Sequence, residues 1–101
     1  MATSTIKRNK PRGFGTAVVL DGYTSASNVY TVPTDGMVTI SSNYPSQNYI
    51  TLNVNSANVA SCNGGGKTSE TSSFPVYAGD RVYLVYNVGT GNTARFRPYT
   101  Y

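Results

Sequence analysis

The chain has 101 residues and a mass of 10.8 kDa, enough for one small domain and too little for a second core. A third of it is Ser (11), Thr (13) and Asn (10), and with 1 Cys and no His it cannot supply a zinc site or a histidine-dependent active site. The formal net charge of +4 lies entirely in the first twelve residues, so the remainder is neutral and differs from a uniformly basic nucleic-acid-binding face.

The first predicted element is a polar N-terminal arm over residues 1–15, and a single domain follows over residues 16–101. The arm contains Pro and Gly without any apolar periodicity, so we expect it to be flexible. Cations on such a segment suit docking on an acidic protein surface as well as contacts with phosphates. Because the domain behind the arm is neutral, we rank nucleic-acid binding below docking on another protein as the function of the arm. The candidate docking residues are Lys7, Arg8, Lys10 and Arg12.

From residue 16 onward, short β-branched and aromatic runs alternate with turn residues such as Asp21-Gly22, Asp35-Gly36 and Gly79-Asp80. The turn signals recur about every ten residues, which is the spacing of an antiparallel sandwich or barrel. The chain is therefore predicted to be all-β, with about eight short strands. These strands are predicted at 17–20, 29–32, 37–42, 49–55, 58–62, 71–77, 81–88 and 93–101.

The predicted strand 81–88 is apolar on both faces. Val82, Leu84 and Tyr86 alternate with Tyr83 and Val85, whereas one face of an antiparallel strand usually meets water. The second face therefore needs a cover, and in so small a chain we expect another copy of the chain to provide it. The alternative is that the arm or a long loop covers this face. The predicted oligomer interface consists of Tyr83, Val85, Tyr99 and Tyr101.

Tyrosine is abundant, with 9 residues in a chain that has no Trp. Each buried tyrosine hydroxyl needs a hydrogen-bond partner, so several of these residues are expected at the surface or at an interface. Together with Asn, Ser and Gly, they give the composition of adaptable recognition surfaces. The predicted recognition residues are Tyr44, Tyr49 and Asn53.

Catalytic chemistry is poorly represented. Three of the 4 acidic residues adjoin glycine, where Asp serves turns, and a carboxylate-pair hydrolase needs two acids about 5–10 Å apart. Cys62 has no histidine to lower its pKa, so we expect a buried, inert thiol. We expect no enzyme and no cofactor.

No apolar run reaches the roughly 18–20 residues of a membrane span, and we expect no signal peptide. The unpaired cysteine suits folding in a reducing cytoplasm.

Three segments resemble known jelly-roll domains. Residues 30–40 (YTVPTDGMVTI) are similar to the apolar-x-x-Pro-x-x-Gly element that leads into a core strand of C1q/TNF-like jelly rolls. Residues 76–84 (VYAGDRVYL) are similar to their apolar-x-x-Gly-Asp-x-Val-x-Leu hairpin. Residues 94–99 (ARFRPY) resemble the final strand of small jelly rolls on bacteriophage heads and tail fibres. The start, MATSTIK, also resembles short phage-encoded structural proteins. The chain departs from animal C1q heads in lacking their Gly-x-Tyr-x-Phe element, which favours the phage type.

This resemblance implies an antiparallel jelly-roll β-sandwich that forms trimers on the virion exterior after synthesis in the bacterial cytoplasm. The arm would attach it to other virion proteins, and exposed Tyr and Asn side chains would meet a host glycan or protein. The first hypothesis is therefore a head-decoration or tail-fibre protein of a tailed bacteriophage. The alternatives are a monomeric carbohydrate-binding module and a capsid-associated nucleic-acid-binding accessory protein.

Overall fold

A computed structural model describes residues 11–42, 49–63, 69–86 and 92–101. Within these residues the chain is all-β and forms two antiparallel sheets packed as a β-sandwich, which confirms the predicted fold class. The strands of the described residues are β1 (Gly13–Phe14), β2 (Val18–Val19), β3 (Tyr30–Thr31), β4 (Gly36–Ser42), β5 (Tyr49–Val54), β6 (Ala57–Asn63), β7 (Glu70–Val76), β8 (Arg81–Tyr86) and β9 (Asn92–Thr100).

The strand pairs are nested along the chain. The 5-stranded sheet has the order β1-β9-β4-β7, with β2 also paired to β9, and the 4-stranded sheet has the order β3-β8-β5-β6. Around the β5–β6 hairpin, β4 pairs with β7, β3 with β8, and β2 with β9, always antiparallel. The chain therefore folds back on itself like one long hairpin whose strand pairs are shared between the two sheets.

The core lies between the two sheets and follows the period-two alternation of the strands. In β4, Val38, Ile40 and Ser42 are buried while the residues between them are half-buried. In β8, Val82 and Leu84 are buried. Burial of this apolar surface is the main stabilising contribution to the fold. The buried apolar cluster comprises Leu20, Val32, Val38, Ile40, Ile50, Leu52, Val54, Cys62, Val76, Val82, Leu84, Ala94 and Phe96.

Two aspartates tie together the turns at one end of the sandwich. The Asp80 carboxylate accepts hydrogen bonds from the Tyr77 backbone N–H (2.9 Å) and from Nδ2 of Asn55 (3.1 Å). The Asp35 carboxylate accepts one from the Ala78 backbone N–H (2.9 Å). Both acids therefore have the turn-stabilising role that the Asp-Gly and Gly-Asp dipeptides predicted.

The sheet begins earlier in the chain than the predicted boundary at residue 16. Gly13 and Phe14 pair with Thr100 and Tyr99, so the last residues of the predicted arm form the edge strand β1. A two-residue strand between Gly and Pro residues has no periodicity for sequence reasoning to detect. At the other end of the chain, the predicted strand 81–88 is described only as far as Tyr86.

Candidate interaction surfaces

The outward side of the 4-stranded sheet carries the residues of the doubly apolar strand. Because Val82 and Leu84 face the core, Tyr83 and Val85 face outward, where Tyr83 is half-buried and Val85 is 43% exposed. Thr51 lies opposite Val85 in the register, and Tyr49, also 43% exposed, is two residues away on the same side of β5. We call Tyr49, Thr51, Tyr83 and Val85 the β8 face. It unites two predicted interface residues with one predicted recognition residue.

Asn53 was wrongly predicted as a surface recognition residue, because it is only 5% exposed. It occupies an interior strand, with Tyr83 opposite it on β8 and Asn58 opposite it on β6. Asn53 keeps the outward orientation on which the prediction relied, but strands flank it on both sides and the β5–β6 register shifts between Leu52 and Asn53. Its Nδ2 atom is buried without a hydrogen-bond partner.

A shallow groove adjoins the β8 face. Its volume is about 220 Å³, and Tyr83 contributes one wall. The Arg81 side chain is exposed, so this groove has one cationic edge. The remaining lining residues are Ala26, Val29, Asn55 and Ser56.

A second exposed surface lies at the end of the 5-stranded sheet. The rings of Phe14 and Tyr99 face each other across β1 and β9 with centroids 5.6 Å apart. Tyr77 and Tyr101 are 58% and 62% exposed, and Phe14 is 48% exposed. We call Phe14, Tyr77, Tyr99 and Tyr101 the aromatic cluster. Sequence reasoning missed Phe14 and Tyr77, because one lies in the predicted arm and the other at the end of a predicted strand.

The sandwich separates residues that the sequence had grouped together. Tyr99 and Tyr101 lie at the β9 end of the 5-stranded sheet, whereas Tyr83 and Val85 lie on the 4-stranded sheet. The four predicted interface residues therefore belong to two surfaces. The arginines of these strands are divided in the same way, with Arg81 on β8 and both Arg95 and Arg97 on β9.

Most of the predicted docking residues lie outside the described part of the chain. These are Lys7, Arg8 and Lys10, and the predicted recognition residue Tyr44 also lies outside it. Arg12 is described and is exposed, and its backbone N–H donates a hydrogen bond to the Thr100 carbonyl (2.7 Å). The arm therefore enters the sandwich beside the aromatic cluster.

Burial restricts the reactive groups of the described residues. Cys62 is 2% exposed, and its thiol donates a hydrogen bond to the Ile40 carbonyl (3.6 Å). Burial, followed by the charge of Glu70, raises the pKa of this thiol and so disfavours the reactive thiolate. In the described ranges, no group of three His, Cys, Asp or Glu side chains could hold a metal ion.

No helix among the described residues is long and apolar enough to cross a membrane. Comparison with protein-family models gives no match, and comparison with curated proteins finds no significantly similar sequence. The two exposed surfaces and the sequence motifs are therefore the features of this chain that bear on its function.

Proposed function

We propose that this chain is a structural protein of a tailed-bacteriophage virion, displayed on a head or tail fibre as a small trimeric sandwich. In this proposal the arm attaches the domain to other virion proteins, the β8 face joins the copies, and a further surface contacts the host. In this proposal the protein functions in adhesion and assembly and not in catalysis.

The exposure of the β8 face is the observation that carries the proposal. Val85 and Tyr49 are each 43% exposed on the outward side of a strand pair whose inward side includes the buried residues Ile50, Leu52, Val82 and Leu84. Covering the exposed part of Val85 with a second copy would contribute roughly 1–2 kcal/mol per copy by removing apolar surface from water. In the described residues this face bears no acidic side chain that would oppose such contact.

The strand pairing supports the jelly-roll part of the proposal. Pairs nested around a central hairpin and shared between two sheets are expected when a long antiparallel ribbon folds over into a sandwich. The assignment to a phage virion rests on the resemblance of segments 30–40, 76–84 and 94–99 to jelly-roll domains. Because a fold alone does not specify a function, the proposal needs a test that does not depend on the fold. The first experiment therefore tests whether the chain forms an oligomer through the β8 face.

The test compares two exposed valines on opposite sheets. Val85→Ser removes apolar surface from the β8 face, whereas Val19→Ser changes a 52% exposed valine of β2 on the other sheet. Light scattering at tens of micromolar protein should give a lower mass for Val85→Ser and an unchanged mass for Val19→Ser. Equal masses for the two variants, with both still folded, would contradict the role of the β8 face.

Tyr83→Ser provides a second test of the same face. Because Tyr83 is half-buried, the thermal unfolding of the Tyr83→Ser variant is measured alongside the mass of its assembly. We expect a folded protein of reduced mass. A folded variant with the mass of the unaltered protein would place the interface elsewhere.

The arm is tested separately from the oligomer. Deleting residues 1–10 removes three of the four docking cations while leaving β1 intact. This deletion should preserve the number of copies in the assembly and abolish binding to an acidic virion partner. The binding of the full chain to that partner should weaken as salt rises. Single-stranded DNA binding by the full chain that falls steeply with salt and is lost in this deletion would instead favour the nucleic-acid alternative.

A further inference from the structure

We infer that the aromatic cluster is a binding platform for a neutral glycan, separate from the surface that joins the copies. The biological role of this platform, contact with the host, rests on the proposed function. The inference adds the chemical class of the ligand and the residues that bind it. The binding itself can be measured whether or not the chain forms trimers.

The strand register places the cluster in one row across the sheet. Gly36 pairs with both Val76 and Pro98, so the next row outward contains Tyr77, Asp35 and Tyr99. The Tyr99 backbone N–H donates to the Asp35 carbonyl (3.0 Å), which continues the pairing into this row. Phe14 extends the row beyond Tyr99, and Tyr101 lies two residues further along the same side of β9.

Hydrogen bonds hold the backbone of this row in place. Asp35 connects β9 to the turn between β7 and β8, because its carbonyl accepts from the Tyr99 N–H and its carboxylate accepts from the Ala78 N–H (2.9 Å). Gly15 donates to the Pro98 carbonyl (2.7 Å) and fixes the β1 side. The pKa of Tyr99 is raised by burial, then by Tyr77, Tyr101 and Asp35, as expected for groups that lie close together. A preorganised platform loses little conformational entropy when a ligand binds.

The chemistry of the cluster matches a sugar ring. Aromatic faces carry a negative quadrupole, which attracts the weakly positive C–H groups on one side of a pyranose. Phenol hydroxyls both donate and accept hydrogen bonds, and a carboxylate accepts several. Tyr77, Tyr99 and Tyr101 thus offer apolar faces with polar rims, with Asp35 within the row.

The charges around the cluster favour a neutral ligand. Among the described residues, Asp35 and Asp80 supply two negative charges at the Tyr77 end of the cluster, where their carboxylates accept hydrogen bonds from the backbone of the turn. Arg97 and Arg12 supply two positive charges at the Tyr99 end, because Arg97 precedes Tyr99 by two residues on β9 and the Arg12 N–H donates to the Thr100 carbonyl. Their sum gives neither an anion nor a cation a long-range advantage.

The area of the cluster suits a small ligand. Aromatic side chains present about 150–250 Å² each, so the three rings that are about half exposed, those of Phe14, Tyr77 and Tyr101, offer roughly 300 Å². The cluster is therefore wide enough for two or three sugar rings.

The experiment titrates neutral hexose and N-acetylhexosamine oligosaccharides into the full chain and follows binding by saturation-transfer NMR and calorimetry. We expect Tyr77→Ala and Tyr101→Ala each to weaken binding of the best oligosaccharide at least tenfold. Val19→Ala is the control, since Val19 is also a large exposed side chain but lies on β2, outside both the aromatic cluster and the β8 face. It should leave the affinity unchanged. The affinity should also be insensitive to salt, and a uronic-acid oligosaccharide should bind no better.

The outcomes separate this inference from the proposed function. Absence of binding to every neutral oligosaccharide at millimolar concentration would overturn the glycan platform while leaving the mass of the assembly as it was. A loss of mass in Tyr77→Ala or Tyr101→Ala would identify the cluster as a contact between copies and would also overturn it. Conversely, a monomeric chain that binds glycans through these tyrosines would uphold the platform and contradict the trimer.

Discussion

At the scale of single residues, Gly36 is the position with the least room for a side chain. A Cβ atom there would lie 2.4 Å from the Arg97 carbonyl oxygen and 2.6 Å from the Phe96 ring. A backbone carbonyl in a paired strand cannot move aside, so we expect Gly36→Ala to lower the free energy of unfolding by about 3 kcal/mol. Chemical denaturation measures the change.

Gly22 gives the matched control, because it also follows an aspartate in a turn. A Cβ atom at Gly22 would meet nothing within 4 Å. Gly22→Ala should therefore change the free energy of unfolding by less than about 0.5 kcal/mol. Similar stability losses for the two variants would contradict this packing account of Gly36.

The two Asp-Gly dipeptides show what sequence reasoning can detect at this scale. Both were predicted as turns from local chemistry alone. The two glycines differ in their tertiary contacts. Gly36 begins β4 between Val76 and Pro98 and packs against the Phe96 ring. A contact between residues 60 positions apart in the chain leaves no local signal.

Cys62 makes stability sensitive to alkaline pH. Its pKa is raised in the folded state, mainly by burial, from an ordinary value of 9.0. The folded chain therefore holds the thiol proton more tightly than the unfolded chain. The resulting stability is fully present below pH 9 and is lost as the pH rises beyond it. Denaturation between about pH 7 and 10 should show this decline.

Cys62→Ala is the control for this pH dependence. The raised pKa values of Tyr30 and Tyr99 act in the same direction, but from an ordinary value of 10.0. The variant should therefore begin to lose stability about one pH unit later than the unaltered chain. Identical pH profiles would mean that the thiol does not contribute.

At the scale of elements, the β5–β6 turn depends on Asn55. Asn55 and Ser56 both have positive φ angles, 52° and 69°, as in a tight type I′ hairpin turn. The Asn55 side chain also accepts a hydrogen bond from the Arg81 N–H (3.0 Å) and donates one to Asp80. We expect Asn55→Ala to destabilise the fold by about 2 kcal/mol, combining left-handed strain with lost hydrogen bonds.

Asn55→Gly separates these two contributions, because glycine adopts positive φ without strain. It should destabilise the fold by about 1 kcal/mol, from the hydrogen bonds alone. Thermal or chemical unfolding of the two variants gives the comparison. If Asn55→Gly lowers the free energy of unfolding as much as Asn55→Ala does, left-handed strain makes no contribution at this turn.

Strand positions were largely predictable, since β-branched residues with period-two alternation identify β4, β5 and β8 locally. Details within the strands were less so. Asn53 alternates correctly with Leu52, yet the irregular β5–β6 register and the interior position of β5 bury it. Burial of an outward residue depends on which strands lie on either side, and the sequence pattern does not contain that information.

At the scale of the whole molecule, pairing order determines which surfaces exist. The nested arrangement places β8 and β9 in different sheets although they follow each other in the chain. This is why Tyr83 and Val85 are separated from Tyr99 and Tyr101, which the sequence had placed in one interface. The proposed assembly through the β8 face and the proposed glycan binding through the aromatic cluster therefore use different surfaces.

The measurement that tests the account most directly is the mass of the unaltered chain in solution, followed by light scattering across micromolar concentrations. Exposure of Val85 and Tyr49 on a folded single copy predicts self-association, and the resemblance to trimeric jelly-roll domains predicts three times the 10.8 kDa mass of one chain. A mass of one chain throughout that range would contradict self-association through the β8 face.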